Sequence, residues 1–500
     1  MNIQDKVEHV FVLMLENRSF DHMLGFSEIS GTDLATGDTT SIVGLTGEEV
    51  NSHDGMNYRV LKPARQSTPV DPGHEFIDAV QQFTGETEYN PGVTFNEIDN
   101  SGYVANYAAT TERLEAGQGE LGAIMECFAP EQIPVLGTLA KEFAVCDHWY
   151  SSMPGPTWPN RFFAMAATAG GLDDHPDTSW IIEWSTVNGI KFENGHIFSR
   201  IEEKFGDSSA WKIYADSPSL LPDTPIAGAL DGINMLTEVT NFSSFAEDLQ
   251  DPDYKPKFTW IEPNYGNPIT GDYASGNSQH PLDGITNGEQ LVKDVYKAIR
   301  NSPLWEKSML IVTYDEHGGF YDHVAPPAVI SPNDEDVPGI NKYGFEFKQL
   351  GTRVPAIVIS PYVEKNLISH ETFEHSSIPA TVGEIFGMPP LTDRDKEAND
   401  VCSLLNLDAP RTDCPTDLPE PVAVESAVAA RVLPDVSDKP IHGNAAGQLY
   451  LTAKQRMEAT PEDQRDALME ELKNIKTCGE ALDFCRQTES RVQAYKRSLK

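Results

Sequence analysis

Two short runs of apolar residues, each followed by acids, form the clearest pattern in this chain. The runs are residues 10–15 and 309–312, and the polar residues that follow them include Glu16, Asn17, Asp315 and Glu316. Continuous apolar runs of this length are typical of strands that are buried on both faces of a sheet. Ligands of open α/β sheets bind beyond the carboxyl ends of the strands. The two runs therefore predict one site that the following polar residues share.

Short apolar runs and stretches with helical spacing alternate along the chain up to about residue 390. The predicted strands also include 143–146, 211–215, 257–262 and 354–360, and the predicted helices are 75–83, 133–142, 160–168, 288–301 and 378–386. Alternation of this kind indicates an α/β protein with a mainly parallel sheet between helices. We predict a three-layer α/β sandwich with a mainly parallel central sheet.

The composition changes after about residue 395. Residues 408–445 are rich in Pro, Ala and acids, as linkers often are, and helical spacing returns from 461 to 497. We predict a main domain over residues 1–395, with a cap within about 170–255. Residues 396–500 are predicted to form a linker and a small C-terminal helical region.

A proline-rich loop precedes the helix predicted at 160–168. Three prolines and a glycine between 154 and 159 favour a tight, rigid loop. Thr157 lies in this loop just before the helix, where free backbone N–H groups can receive a phosphate. Thr157 is therefore the predicted nucleophile, with Ser151 and Ser152 as alternatives. Threonine in such a loop is otherwise most often a plain turn residue.

The polar residues after the two apolar runs carry hard oxygen atoms and no thiolates. Such a set suits Mg²⁺, Ca²⁺ or Mn²⁺, and Zn²⁺ if an imidazole joins it. The predicted ligands are Glu16, Asn17, Asp315 and Glu316. The alternative is that each acid caps a helix or lies in solvent on a loop, but two such pairs at strand ends favour the metal site.

Thirteen histidines are present, and four of them fall in loops beside predicted strands or helices: His74, His280, His323 and His375. An imidazole titrates near neutral pH, which suits it to general acid–base catalysis. His280, which precedes the helix predicted at 288–301, is the predicted general acid, and His74 is a second catalytic candidate. Most of the other histidines are expected to be ordinary core or surface residues.

Several aromatic residues surround the proline-rich loop. Most are expected to pack in the core or the cap. The alternative is a cage for a quaternary ammonium group, held by cation–π attraction of about 1–2 kcal/mol. Trp158, beside Thr157, is the best candidate for it. The predicted substrate-binding residues are Trp158, Asn160 and His323.

The charge of the chain limits its partners. The sequence has 37 basic and 77 acidic residues, a formal net charge of −40. Such a protein repels phosphate backbones, so we expect no nucleic acid partner. It is also repelled by anionic bilayers but not by zwitterionic lipids. A strongly solvated acidic surface explains most of this charge.

Export and membrane insertion leave few signs in the sequence. The longest apolar runs are far below the ~18 residues of a membrane span, and the N-terminal run is too short for a signal peptide. The six cysteines fall in near pairs, which permits local disulfides such as Cys478–Cys485 among 15 connectivities. Disulfides favour a secreted protein, and the missing signal favours a cytoplasmic one.

Four motifs resemble one known family. They are ENRSFDHMLG at 16–25, PGPTWPNR at 154–161, HPLDGITNGE at 280–289 and TYDEHGGFYDHV at 313–324. Together they are similar to the bacterial phosphoesterases that include phosphatidylcholine-preferring phospholipases C and a metal-dependent acid phosphatase. These belong to the alkaline-phosphatase-like superfamily. The resemblance covers roughly residues 7–395, so it implies that residues 1–395 are the phosphoesterase catalytic domain.

The resemblance also implies roles for individual residues. The metal ligands of the family correspond to Glu16, Asn17, Asp315 and Glu316. Its hydroxyl nucleophile corresponds to Thr157, and its pocket histidines to His74 and His280. Exported members carry an N-terminal secretion signal, and this sequence begins where their mature domain would. A secreted protein is therefore expected from the family, with a cytoplasmic one as the alternative.

These implications predict a metal-dependent phosphoric ester hydrolase that forms a phospho-threonine intermediate. Phospholipase C activity on phosphatidylcholine-like diesters is the first expectation, with a phospholipid or small phosphoester as substrate and peripheral membrane contact. Acid phosphatase activity on monoesters is the alternative. A non-catalytic phosphate- or lipid-binding protein is the alternative from another class.

Overall fold

The computed structural model describes residues 2–113, 120–178, 189–216, 224–423 and 435–498. Its strands are β1 (His9–Leu15), β2 (Ser30–Asp33), β3 (Thr39–Ser41), β4 (Val50–His53), β5 (Met56–Arg59), β6 (Ala144–Cys146), β7 (Trp149–Tyr150), β8 (Trp211–Ala215), β9 (Val239–Asn241), β10 (Phe258–Glu262), β11 (Ser308–Tyr314), β12 (Ala356–Ile359), β13 (Leu367–Ser369) and β14 (Phe373–Glu374). Its α-helices are α1 (Ile3–Lys6), α2 (Phe20–Leu24), α3 (Phe76–Thr84), α4 (Tyr103–Arg113), α5 (Pro134–Glu142), α6 (Thr157–Ala166), α7 (Ile197–Phe205), α8 (Phe245–Asp248), α9 (Thr286–Arg300), α10 (Ser377–Phe386), α11 (Asp393–Glu397), α12 (Asn444–Glu458), α13 (Arg465–Lys473) and α14 (Cys478–Ser498).

Ten strands form the central sheet, in the order β3-β2-β13-β6-β12-β11-β1-β10-β8-β9. Most neighbours are parallel; β12 is antiparallel to β11 and β6, and β3 is antiparallel to β2. Every residue of β1 and β11 is buried, as expected for strands that helices cover on both faces. The predicted α/β sandwich with a mainly parallel sheet is confirmed.

The helices pack around the sheet in two groups. α9 contacts β1, β11 and α5, and α5 contacts β6 and β12. In the second group α6 contacts α7 and α10, and α7 contacts β8. The predicted helices and strands in these groups match the observed ones to within a few residues, because strong local periodicity set them.

The C-terminal region packs against the rest of the chain. Buried residues of α12, α13 and α14 belong to the same hydrophobic core as those of the sheet strands. The preceding segment also contacts this core, since the hydroxyl of Tyr296 on α9 donates to the carbonyl of Pro415 at 2.6 Å. The sequence did not predict α12, which falls between the segments interpreted as linker and as helix. Parts of the predicted cap (179–188 and 217–223) and of the predicted linker (424–434) lie outside the described residues.

All six cysteines are free thiols. The local pairs that the spacing permitted, including Cys478–Cys485, are therefore not formed. Cys485 lies on α14, and its thiol donates instead to Oγ1 of Thr452 at 3.4 Å. Of the helices in the described ranges, none has the length and apolarity that crossing a bilayer demands.

A buried arginine fastens the loops that follow β1 and β11. Nε of Arg353 donates to Oδ1 of Asp322 at 2.9 Å, and its second terminal nitrogen donates to Oδ1 of Asp21 at 3.0 Å. All three side chains are fully buried. His323 joins the same cluster, because its Nδ1 is 2.6 Å from Oδ2 of Asp21. This places His323 in an ion-pair cluster with its side chain 23% exposed, and its predicted contact with substrate stays a prediction.

Replacing Arg353 by methionine is expected to lower the free energy of unfolding by about 3–5 kcal/mol, because two buried carboxylates lose their countercharge. Urea unfolding of both proteins measures the loss. The control is Arg59→Met, which removes a solvent-exposed ion pair with Glu48 and should cost at most about 1 kcal/mol. Equal losses for the two variants would contradict a supporting role for the cluster.

Candidate active site

The polar residues predicted from the two apolar runs meet at one edge of the sheet. β1 and β11 pair in parallel with Leu15 opposite Tyr314, so Glu16 and Asp315 leave the sheet side by side. The N–H of Asp315 donates to the carbonyl of Leu15 at 3.2 Å, and the N–H of Asn17 donates to Oδ1 of Asp315 at 3.0 Å. The parallel register of the strands therefore brings the two loops together.

Asn17 and Glu316 lie in contact beside these residues. The backbone of Asn17 is left-handed, with φ of 60°, and its side-chain amide donates to Oε1 of Glu316. Oε2 of Glu316 accepts the N–H of Gly318 at 2.7 Å. Gly318 has φ of 64°, and a Cβ there would lie only 2.2 Å from the carbonyl oxygen of Asn17. A glycine is needed for this close approach.

Three buried oxygen atoms of this edge have no hydrogen-bond partner among the described residues. They are Oε2 of Glu16, Oδ1 of Asn17 and Oγ1 of Thr157. Buried polar atoms are almost always satisfied, so such a group indicates a missing partner. Hard oxygen donors with negative charge suit a divalent cation. The residues present therefore fit a metal ion.

The pKa shifts of these carboxyl groups also favour a bound divalent cation. Burial, and then the negative charge of Asp315, raise the pKa of Glu16 well above its ordinary value. Burial raises the pKa of Glu316 to about 8, with His74 opposing the shift and Asp315 adding to it. Crowded buried carboxyl groups of this kind are stabilised by a nearby cation.

Thr157 is the first residue of α6 and is 1% exposed. Asn160, one turn later, holds the loop that precedes it. Its amide oxygen accepts the N–H of Met153 at 3.1 Å, and its amide nitrogen donates to the carbonyls of Gly155 and Pro156, each at 3.1 Å. Both ends of this amide are thus occupied. The side chain of Asn160 therefore fixes the loop before Thr157, and its predicted contact with substrate stays a prediction.

Arg161 connects α6 with the metal-ligand candidates. Its Nε donates to Oδ2 of Asp315 at 2.9 Å, and a terminal nitrogen donates to the carbonyl of Leu15 at 2.8 Å. Both charged side chains are fully buried. Sequence reasoning missed Arg161 as a site residue. Its signal was its position four residues after Thr157, on the same face of the helix.

Two of the predicted histidines form a second group with Asp71. One ligand atom each of Asp71, His74 and His280 lies within 4.8 Å of the others. Nδ1–H of His74 donates to the carbonyl of Pro72 at 2.9 Å. Burial lowers the pKa of His74, but the carboxylates of Glu316 and Asp71 outweigh it, and the pKa is raised overall. The group can hold a proton, and its atoms are also suited to metal binding.

Tyr273 fixes the ring of His280. The two rings stack with their centroids 3.6 Å apart and their planes 4° apart. Burial raises the pKa of the Tyr273 hydroxyl well above its ordinary value, and the side chain of Asn444, the first residue of α12, partly offsets this shift. Neither Asp71 nor Tyr273 was predicted as a site residue. Asp71 had a weak signal, three residues before His74, and Tyr273 had none.

The indole of Trp158, on α6, packs against α12. The indole is 2% exposed and meets the rings of Phe162 and Tyr450 edge-on, with centroids 5.9 and 6.4 Å away. A Cβ at Gly447 would lie 2.3 Å from Cζ2 of the indole, so only glycine permits this approach. The ring packs between α6 and α12, and its predicted contact with substrate stays a prediction.

Comparisons with known proteins agree on one family. The model of the Phosphoesterase family matches residues 7–389. Non-specific phospholipase C3 of Arabidopsis thaliana is 34% identical over 441 residues, which is 83% of this chain and 76% of that protein. Phospholipase C B of Mycobacterium tuberculosis is 29% identical over 451 residues, 83% of this chain and 80% of that protein.

The solved structures are more distant. A protein in the alkaline phosphatase superfamily from Vibrio parahaemolyticus is 12% identical, with a TM-score of 0.31. The match covers 51% of this chain and 61% of that one.

Proposed function

Because this chain belongs to the Phosphoesterase family, we propose that it is a metal-dependent phospholipase C whose nucleophile is Thr157. The chain is a phosphoric ester hydrolase. Its relatives named phospholipase C support a phosphodiester of a glycerophospholipid as the substrate. Water would hydrolyse the resulting phospho-threonine in a second step.

The observation that carries the proposal is the position of Thr157. Its buried hydroxyl has no partner among the described residues and lies at the start of α6, where backbone N–H groups point outward. Those groups stabilise a bound phosphoryl group. The same helix contacts Asp315 through Arg161 at 2.9 Å, which supports a nucleophile that acts next to the predicted ligands.

The residues of the site have separate tasks. A divalent cation, held by Glu16, Asn17, Asp315 and Glu316, would supply a Lewis acid that favours the ionised hydroxyl of Thr157. Arg161 orients Asp315 and lends a positive charge to the buried site. His280, whose ring is fixed by Tyr273, donates a proton to the departing alcohol. The pKa of His74 is raised overall, because the carboxylates of Glu316 and Asp71 outweigh the effect of burial, and His74 is the second candidate for proton transfer.

Two chromogenic substrates test the reaction class. p-Nitrophenylphosphorylcholine is a diester and p-nitrophenyl phosphate a monoester, and both release the same dye. A phospholipase C should turn over the diester with the higher kcat/KM. A preference for the monoester would favour the acid phosphatase alternative. Failure on both, with no metal in the purified protein, would favour a non-catalytic binding protein.

Replacing Asn444 by alanine is expected to lower kcat by about fivefold to tenfold, because the polar side chain that acts on the hydroxyl of Tyr273, the ring stacked on His280, is lost. Steady-state kinetics with the preferred chromogenic substrate measures the change. Tyr273→Phe should give a similar loss, and the double variant should lose little more, since both remove the same interaction.

The matched control is Gln448→Ala, one turn further along α12. The Gln448 amide donates to Oγ1 of Thr224 at 2.9 Å and belongs to the same helix–core contact. This variant should keep the wild-type kcat. A loss equal to that of Asn444→Ala would mean that α12 acts only through general stability.

A further inference from the structure

A second cluster of metal-ligating side chains lies where β6 and β13 end. Asp147 follows β6 directly, His148 is its neighbour, and His370 follows β13. Nδ1 of His148 is 2.7 Å from Oδ1 of Asp147, and Nδ1 of His370 is 2.9 Å from Oδ2 of the same carboxylate. One ligand atom of each residue lies within 4.8 Å of the others. None of the three belongs to the predicted catalytic machinery.

The surroundings hold Asp147 and His370 in place. Oδ2 of Asp147 accepts the N–H of Val43 at 2.7 Å. The second ring nitrogen of His370, Nε2, is 3.0 Å from Oγ1 of Thr40 and 3.8 Å from Oδ2 of Asp33. Metal-ligating histidines almost always donate their other N–H to such an oxygen, which fixes the tautomer and ring orientation. His370 therefore presents Nδ1 to the cluster while its outer nitrogen is tied to the hairpin of β2 and β3.

Exposure and donor type indicate the kind of ion. The Asp147 side chain is fully buried, and the side chains of His148 and His370 are 23% and 29% exposed. Because both imidazoles are partly exposed, a water molecule can reach the cluster as a fourth ligand. Two nitrogen donors and one oxygen donor suit Zn²⁺ and similar transition metals better than Mg²⁺ or Ca²⁺.

We propose that Asp147, His148 and His370 form a second metal site, distinct from the active site, that binds Zn²⁺ or a similar transition-metal ion. The ion would join the ends of β6 and β13. Through Thr40 and Val43 it would also fasten the edge hairpin of β2 and β3 to the sheet. Its role is structural, because binding stabilises the folded state by mass action.

Counting bound metal tests the proposal. The protein is stripped with a chelator, dialysed and titrated with Zn²⁺ by calorimetry. The double variant His148→Asn/His370→Asn should bind one equivalent less than the wild type. Asparagine places an amide nitrogen near the position of Nδ1, so it can keep the hydrogen bond to Asp147 but is a poor Zn²⁺ ligand. The result is the difference in bound Zn²⁺ between the wild type and the double variant. Ions that bind at the active site of both proteins do not affect this difference.

Two further variants sharpen the test. Thr40→Val removes only the outer partner of His370 and should weaken Zn²⁺ binding at this site about 10–100-fold. His53→Asn is the matched control, since His53 is also partly exposed and lies 3.6 Å from the acid Asp54. It should bind as much Zn²⁺ as the wild type. If the double variant is too unstable to purify, His148→Asn alone should show the missing equivalent.

Thermal unfolding gives an independent readout. Added Zn²⁺ should raise the Tm of the stripped wild type more than that of the double variant. Equal metal content in the wild type and the double variant, or equal Tm shifts, would overturn the proposal. The cluster would then be a hydrogen-bonded junction of β6, β13 and the edge hairpin.

Discussion

Replacing Thr157 by alanine is expected to lower kcat by about 10⁴-fold or more, because the attacking oxygen is lost and the other site residues cannot replace it. The free energy of unfolding should change by less than about 1 kcal/mol, since Oγ1 has no hydrogen-bond partner among the described residues. Turnover of the preferred chromogenic substrate and urea unfolding measure the two effects.

Thr313→Ala is the matched control for this prediction. Thr313 is buried on β11, two residues before Asp315, and its hydroxyl also has no partner in the described part of the chain. The same chemical change is therefore made near the site but away from α6, and activity should persist. Thr157→Ser should retain a measurable rate. A Thr157→Ala protein with wild-type turnover would refute the nucleophile.

Replacing Glu16 by glutamine is expected to act in opposite directions on activity and on stability. Turnover should fall by about 100-fold or more, because a charged metal ligand is lost. The metal-free protein should become more stable by about 1 kcal/mol or more, because burial and the charge of Asp315 raise the pKa of Glu16, so folding near neutral pH must either protonate this carboxyl group or bury its charge, and glutamine requires neither. Kinetics with added metal, and calorimetry after chelation, measure the two effects. Chelation of the wild type should also abolish turnover.

Glu289→Gln is the control for the change in stability. Glu289 is also buried, but its carboxylate accepts the N–H groups of Val135 and Leu136 at 2.8 and 2.9 Å. Burial raises the pKa of Glu289 to about 7 although these bonds oppose the shift. Glutamine has one acceptor oxygen, so one buried N–H group would lose its partner, and the protein should be destabilised with or without metal. If Glu16→Gln also destabilised the metal-free protein, this result would contradict the claim that the carboxyl group of Glu16 is unfavourable there.

The strand ends were predictable because the local sequence determines them. Residues 10–15 and 309–312 are so apolar that they are expected to be buried as strands. Parallel pairing of the two strands then places Glu16 beside Asp315. Thr157 was predictable for a similar reason, since the prolines before it limit where α6 can begin. At these positions a few neighbouring residues determine where a strand ends or a helix begins, and therefore where its functional side chains lie.

Residues that depend on distant partners were not predictable. The environment of Trp158 is set by Gly447 and Tyr450, almost 300 positions later in the chain, and nothing near Trp158 indicates them. His323 was predicted as a substrate contact from its place in a loop beside a strand, and nothing in that loop indicates its contact with Asp21, 302 positions earlier. The contact between Tyr273 and Asn444 likewise joins segments with no shared pattern.

The position of α12 has a consequence for how the protein is made. In sequence order the last predicted metal ligand is Glu316. The helix that packs against Trp158 and interacts with Tyr273 begins only at Asn444. At roughly 5–20 residues per second, a ribosome needs about 6–26 seconds to add the intervening stretch. A nascent chain therefore carries every predicted metal ligand well before its pocket can be finished. We expect the growing polypeptide to show no hydrolytic activity until α12 has been synthesised.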